Sequence, residues 1–133
     1  MKKLGMFTEE AYALLRIVSG SLFLFHGAQK IFGVFSPMRP PLLSQLGLGG
    51  LIELLGGLLL VLGLRARAAA FLCSGTMAVA YVQFHWKFQG GAQLLPGVNK
   101  GEPALLYAFL FLYIACRGAG IWSLDGPDRI SRR

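Results

Sequence analysis

Five ionisable side chains, His26, Lys30, Glu53, His85 and Glu102, stand within or beside long apolar stretches of this 133-residue sequence. A charge near the centre of an apolar layer costs about 2.5 to 3.5 kcal/mol, so such groups usually face each other and pair. Glu53 can pair with Lys30 or with His26 as a carboxylate with a cation. Imidazole and ammonium groups also donate hydrogen bonds, which the carbonyl oxygens of a quinone accept. The residue types therefore indicate either a structural ion pair or a ligand site built around one.

The elements that carry these residues must be apolar helices, because 55% of the chain is hydrophobic and only 14% is charged. A soluble domain of this size could not bury so much apolar surface in one core. Four segments reach the length of about 20 mostly apolar residues that spans a bilayer. They are residues 11–35, 46–64, 66–86 and 102–117. The sequence predicts one domain over residues 1–133, all-α, an antiparallel bundle of four transmembrane helices.

The basic residues predict the orientation of this bundle, since cytoplasmic segments carry an excess of Lys and Arg. One side of the predicted bundle carries Lys2, Lys3, Arg65, Arg67, Arg117, Arg129, Arg132 and Arg133, and the other carries Arg39, Lys87 and Lys100. Both termini are therefore expected in the cytoplasm. The net charge of +7 is spread along the chain rather than clustered beside exposed aromatics, so no nucleic-acid partner is predicted.

The predicted helices place the ionisable groups at similar depths. Counting about 1.5 Å per residue from each helix centre puts Glu53 roughly 3 Å and His26 roughly 6 Å outward of the midplane. Lys30 and His85 fall roughly 12 Å outward by the same count. Glu102 begins the fourth helix on this outer side. The five groups are therefore expected to gather in the outer half of the bundle.

The spacing of glycines along the second helix predicts where Glu53 points. Gly49, Gly56 and Gly57 lie three or four residues from Glu53, on the same helix face. Glycines of this kind let helix backbones approach closely in membranes. Glu53 is therefore expected to face neighbouring helices rather than lipid.

A quinone is the ligand that this cluster would suit, because a quinone needs few hydrogen-bond donors within an apolar, aromatic-lined pocket. His26 and His85 could also be imagined as axial haem ligands, but their depths differ by about 6 Å, which does not match a ligand pair across a flat cofactor. The candidate ligand-binding residues are His26, Lys30, Glu53, Tyr81, His85 and Glu102. Catalytic residues are not assigned.

Arg16 and the two cysteines are expected to have structural roles rather than roles in ligand binding. Arg16 lies roughly 9 Å inward of the midplane, where its side chain could snorkel to the cytoplasmic interface. An inward-facing anion site is the alternative. Cys73 and Cys116 form no CxxC motif and are interpreted as small core residues, with a redox pair as the alternative. No metal-ligand cluster or dinucleotide fingerprint is present, so neither a metal nor a covalently bound cofactor is expected.

The order and spacing of several short motifs resemble the DoxX family of small four-helix bacterial membrane proteins. The resemblance covers most of the chain. The matching positions are Arg16 and His26-Gly27-Ala28-Gln29-Lys30, then Glu53-Leu54-Leu55-Gly56-Gly57 and Leu62-Gly63-Leu64-Arg65-Ala66-Arg67, then Gly101-Glu102-Pro103-Ala104-Leu105 and Gly118-Ala119-Gly120-Ile121-Trp122-Ser123-Leu124-Asp125.

This resemblance implies a multi-pass protein of the bacterial inner membrane, associated with a quinone- or thiol-linked oxidoreductase system. An accessory subunit is expected rather than a stand-alone enzyme, with neighbouring oxidoreductase subunits, the lipid bilayer and further copies of the chain as partners. One alternative is a non-catalytic scaffold whose glycine-rich face receives a partner helix. A second alternative is a small transporter of an amphipathic or aromatic compound, with Glu53 as a proton-coupled carboxylate.

Overall fold

The computed structural model describes residues 4–37 and 39–126, and every regular element in these ranges is helical. The main helices are α1 (Thr8–Phe32), α2 (Gln45–Leu62), α3 (Ala66–Ala80), the short α4 (Pro96–Asn99) and α5 (Glu102–Arg117). A π-helical turn, Tyr81–Trp86, continues α3, and 3-10 turns cover Leu4–Phe7 and Gly91–Leu94. The predicted all-α class is confirmed for the described residues.

The helix ends follow from local sequence signals. The Ser44 side chain accepts a hydrogen bond of 3.1 Å from the Gly47 amide and so caps the start of α2. Gly33 and Gly63 end α1 and α2 with φ values of 69° and 63°, a left-handed conformation that favours glycine. Pro103 lies in the first turn of α5, where its missing N–H costs nothing.

The four predicted segments correspond to helices with shifted ends. Segment 11–35 corresponds to Thr8–Phe32, and segment 46–64 corresponds to Gln45–Leu62. Segment 66–86 is split between Ala66–Ala80 and the π-helical Tyr81–Trp86, and segment 102–117 is Glu102–Arg117. Two described helical segments, Leu4–Phe32 and Gln45–Leu62, are long and apolar enough by themselves to cross a membrane.

The helices pack in sequence order, α1 against α2, α2 against α3 and α3 against α5. An aromatic cluster joins α1 to α5, with the Phe23 ring 4.8 Å from Phe111 and 5.9 Å from Tyr107 between centroids. Many large apolar side chains outside this core are exposed, among them Phe71 at 65%, Leu106 at 71% and Phe109 at 65%. Such an apolar exterior is what a lipid solvent permits.

Candidate functional site

The seam between α1 and α2 is built from glycines spaced seven residues apart on each helix. A Cβ added to Gly27 would lie 2.6 Å from the Leu54 Cα atom and 2.8 Å from the Gly50 oxygen. A Cβ added to Gly57 would lie 2.7 Å from the Gly20 oxygen. The two backbones are therefore in direct contact, as small residues allow in membrane helices.

This seam brings the principal ion pair of the site together. Lys30 stands against Gly50, where an added Cβ would lie 2.8 Å from the Lys30 Cβ atom, and Glu53 directly precedes Leu54, whose backbone contacts Gly27. The Lys30 Nζ atom donates to the Glu53 Oε1 atom at 2.6 Å. The Glu53 side chain is only 3% exposed, whereas that of Lys30 is 32% exposed. Of the two partners proposed for Glu53, the structure selects Lys30.

The other oxygen of Glu53 is less well satisfied. Within the described part of the chain, Oε2 is buried and has no hydrogen-bond partner. Buried polar atoms in proteins nearly always have a partner, so each exception calls for a physical explanation. The site thus contains a carboxylate with one engaged and one unengaged oxygen.

A cleft of about 840 Å³ contains this ion pair in its wall. Its walls come from four helices and the π-helical turn, and Glu53, Lys30, His26 and His85 all line it. The apolar part of the wall includes Phe23, Ile52, Met77, Phe84 and Tyr107. This volume falls within the range of about 300 to 1,000 Å³ for small-molecule sites, which are mostly apolar with few polar groups.

Two glycines leave open space in this wall. A Cβ added to Gly49 on α2 or to Gly75 on α3 would meet no atom within 4 Å. Both residues line the cleft, flanked by the exposed Leu48, Phe71 and Leu72. The cleft is therefore bordered by apolar surface on α2 and α3.

His85 is held by the loop that follows the π-helical turn. Its Nδ1 atom lies 3.3 Å from the backbone carbonyl oxygen of Asn99. A carbonyl oxygen can only accept, so Nδ1 donates in this contact, and Nε2 is an acceptor whenever the ring carries a single proton. The π-helical turn itself is a rare conformation that occurs frequently at functional sites.

Asn99 organises this loop and is a residue that the sequence reasoning missed. Its side-chain amide donates to the Gln93 carbonyl oxygen at 3.0 Å and to the Tyr81 hydroxyl at 3.3 Å, and its oxygen accepts from the Gly101 amide at 2.8 Å. Only 9% of the residue is exposed. An asparagine within a loop of Gly and Pro residues gives little sign of burial, because such loops are usually solvated.

The remaining candidate residues, His26, Tyr81 and Glu102, have different surroundings. His26 is exposed, and its Nδ1 atom lies 3.2 Å from the Gln29 Oε1 atom. Tyr81 accepts from Asn99 behind the cleft rather than lining it. Glu102 is exposed and lines a second groove, between α1 and α5. The structure thus brings His26, Lys30, Glu53 and His85 into one cleft and leaves Tyr81 and Glu102 outside it.

Arg16 lies at the opposite end of the fold and does not snorkel. Its side chain is fully buried, and its guanidinium donates to carbonyl oxygens at the end of α2 and in the closing segment 118–125. The Leu60 oxygen lies at 2.5 Å and the Trp122 oxygen at 2.7 Å. Snorkelling was the wrong expectation because four carbonyl partners inside the protein replace water.

The two cysteines differ in environment. The interpretation as a small core residue is confirmed for Cys73, which is buried, and is wrong for Cys116, which is exposed; both thiols are free. The residues 4–37 and 39–126 also contain no group of three His, Cys, Asp or Glu side chains able to hold a metal ion.

Two described helices are long and apolar enough to cross a membrane, and many large apolar side chains are exposed on the exterior. A family model named DoxX matches residues 11–86, more than half of the chain. An uncharacterized protein of Haemophilus influenzae is 39% identical over 132 residues, covering 94% of this chain and 96% of that protein. No solved structure matches. The chain belongs to the DoxX family, as its sequence motifs indicated, and is a membrane protein.

Proposed function

We propose that this protein is a four-helix subunit of the bacterial inner membrane that binds a quinone-class ligand in the cleft beside Glu53. Its α1, α2, α3 with the π-helical turn, and α5 are the four antiparallel crossings. The sequence offers no dinucleotide fingerprint, so electrons for any redox reaction come from a neighbouring oxidoreductase subunit. The protein acts as an accessory subunit of that system.

The observation that carries this proposal is the ion pair in the wall of a ligand-sized apolar cleft. Intramembrane ionisable residues are costly and usually mark functional sites. A purely structural ion pair needs no adjoining cavity, whereas the Lys30–Glu53 pair borders about 840 Å³ of space together with His26 and His85. Ring stacking on Phe84 or Tyr107 would complement the polar contacts.

The surroundings of the cleft favour a lipid-soluble ligand. Leu48, Phe71 and Val79 line the cleft and are 49%, 65% and 48% exposed. In a membrane these side chains face acyl chains, so a hydrophobic ligand reaches the cleft laterally without crossing an aqueous phase. A quinone with an isoprenoid tail has this character.

The scaffold alternative requires that the glycine-rich face of α2 is available to a partner helix. Gly50 and Gly57 contact α1, and Gly56 lies against Cys73 of α3. These three glycines of α2 are therefore used within the chain, which leaves them unavailable to a partner helix. No observation on the described residues favours transport over binding.

A cleft-filling substitution tests the proposal. Gly75→Leu places a large side chain into the open space of the cleft, so we expect decylubiquinone to bind at least tenfold more weakly. Ala78→Leu is the matched control, because Ala78 is exposed on the same helix and does not line the cleft. The measurement is a fluorescence or calorimetric titration of the purified protein in mild detergent.

Two results would count against the proposal. Wild-type protein that binds neither decylubiquinone nor its reduced form has no quinone-class site. Equal weakening by Gly75→Leu and Ala78→Leu would mean that the ligand lies elsewhere on the helix bundle. Mass spectrometry of molecules that co-purify with wild type and with Gly75→Leu adds a test with the native ligand, which should be retained by wild type only.

A further inference from the structure

The polar groups of the cleft differ in the kind of hydrogen bond that they offer. Glu53 is a carboxylate in its ion pair with Lys30, and both of its oxygens are acceptors only. Oε1 accepts from Lys30, and Oε2 has no partner among the described residues. A ligand donor that reaches the buried Oε2 atom would therefore supply the partner that this oxygen lacks.

His85 supplies a second acceptor by an independent route. Its Nδ1 atom lies 3.3 Å from the Asn99 carbonyl oxygen, which can only accept, so Nδ1 is the donor and Nε2 is the acceptor whenever the ring carries a single proton. His85 lines the same cleft as Glu53. The sequence had indicated this histidine as a donor, and its loop contact uses the Nδ1 donor and leaves Nε2 as the acceptor of a singly protonated ring.

Two acceptors in an apolar cleft call for a ligand that brings its own donors. A quinone has only acceptor oxygens, so its carbonyls would stand against the Glu53 carboxylate and the His85 nitrogen without a proton between them. A quinol has two hydroxyl groups, each of which donates. The ammonium group of Lys30 is a donor, but it does not reverse the preference for a quinol. A quinol hydroxyl can donate to Glu53 and accept from Lys30 at the same time, whereas a quinone carbonyl can only accept from Lys30.

We propose that the cleft selects the hydroxyl-bearing form of its ligand, a quinol or a lipid-soluble phenol, over the oxidised quinone. This inference rests on the proposed ligand site and specifies the ligand's redox state. A site rejects an analogue that leaves a buried polar group unpaired much more strongly than one that merely fits less well. The discrimination between the two redox states therefore comes from whether the ligand donates hydrogen bonds to Glu53 and His85.

The experiment compares decylubiquinol with decylubiquinone, titrated anaerobically into wild-type protein in mild detergent. We expect the quinol to bind at least tenfold more tightly. A second probe pair, 4-decylphenol and 4-decylanisole, cannot interconvert by oxidation and differs only by a methyl group in place of the hydroxyl proton. The phenol should again bind more tightly.

A double variant locates the source of the preference. Lys30→Met with Glu53→Met replaces the ion pair by apolar side chains, an exchange that buried ion pairs often tolerate. The quinol preference should then fall below threefold. The matched control removes the ion pair between Arg117 and Glu9, which does not line the cleft, through Glu9→Met with Arg117→Met. This control should keep the full preference.

The outcomes separate the two proposals. Equal binding of quinol and quinone by wild type would overturn the redox preference and leave the ligand site in place. Tighter binding of the quinone would also overturn the redox preference and leave the ligand site in place. It would indicate that donation from Lys30 to a carbonyl oxygen determines the binding. Binding of no probe at all would overturn both proposals. A preference that survives the Lys30 and Glu53 double variant would contradict the role given to the carboxylate.

Discussion

At the scale of single residues, Arg16 shows how a buried charge becomes part of the backbone framework. Helix C-termini leave carbonyl oxygens without intrahelical partners, and cations near them are favourable. Arg16 satisfies the oxygens of Leu60 and Val61 at the end of α2 and joins them to the segment 118–125. Arg67 does the same at the end of α5, donating to the Ala115 oxygen at 3.0 Å and the Cys116 oxygen at 2.5 Å.

Replacing this guanidinium tests its role. Arg16→Lys keeps the charge but concentrates its donors at one point, so it cannot serve two pairs of carbonyls at once. Hydrogen bonds to charged groups contribute about 1.5 to 3 kcal/mol each, so we expect a loss of roughly 2 kcal/mol or more in the free energy of unfolding. Denaturant-induced unfolding in detergent micelles provides the measurement.

Arg65→Lys is the matched control for Arg16→Lys, because Arg65 is exposed and lies at the turn before α3. An exposed change of this kind should alter the free energy of unfolding by no more than about 0.5 kcal/mol. Equal stability of the two variants would show that the Arg16 contacts contribute nothing beyond charge.

At the scale of elements, the glycine seam determines where the ion pair lies. Side chains in place of Gly27 and Gly57 would separate α1 from α2 and move Lys30 away from Glu53. The seam was expected from the glycines around Glu53, but those glycines could equally have faced another chain. Contact with α1 decided the question because Gly20 and Gly27 repeat the same seven-residue spacing on the opposing helix.

Two alanine substitutions test the seam. Gly27→Ala forces a methyl group against the Leu54 backbone, so we expect it to lower the free energy of unfolding by about 1 to 3 kcal/mol. Gly75→Ala meets no neighbouring atom and restricts only the unfolded chain, so it should raise stability by up to about 1 kcal/mol. Thermal unfolding of both variants in the same detergent compares them. Equal changes in stability would contradict close packing at Gly27, because helix propensity alone favours alanine over glycine at both positions.

At the scale of the whole molecule, the closing segment 118–125 ties the ends of several helices together. The Tyr12 hydroxyl donates to the Gly118 oxygen at 2.5 Å, and the Asp125 carboxylate accepts from the Ala66 amide at 3.0 Å. The Asp125 amide donates to the Gly63 oxygen at 3.0 Å. This segment was one of the motifs that resembled the family, and these contacts give a physical reason for its pattern.

The orientation in the membrane is a prediction for the whole molecule. The excess of basic residues places the turn at Arg65 on the cytoplasmic side and the loop at Lys100 on the outer side. Lys2, Lys3, Arg129, Arg132 and Arg133, which contribute to that excess, lie outside the described residues. With Cys73 and Cys116 replaced, a membrane-impermeant maleimide should label Lys100→Cys on intact cells and Arg65→Cys only after permeabilisation. The reverse pattern would invert the topology.

The helices and the membrane setting could be predicted from the sequence alone. Both depend on local properties, namely apolar runs, glycine and proline at helix ends, and the small number of charges. The same properties placed Glu53 on a packed face and Lys30 within its reach. The family assignment also followed from motif order and spacing, and the matching family model confirms it.

Only the tertiary structure decided which polar groups meet and what each can donate or accept. Tyr81 and Glu102 were expected with the other candidates because the predicted helices place them in the outer half of the bundle. The fold instead places Tyr81 against Asn99 and Glu102 in the groove between α1 and α5. Asn99 and the carbonyl oxygens around Arg16 come from distant parts of the chain, and no sequence periodicity records such contacts. Whether a side chain acts as a donor or an acceptor depends on these partners, so it is decided only when the chain is folded.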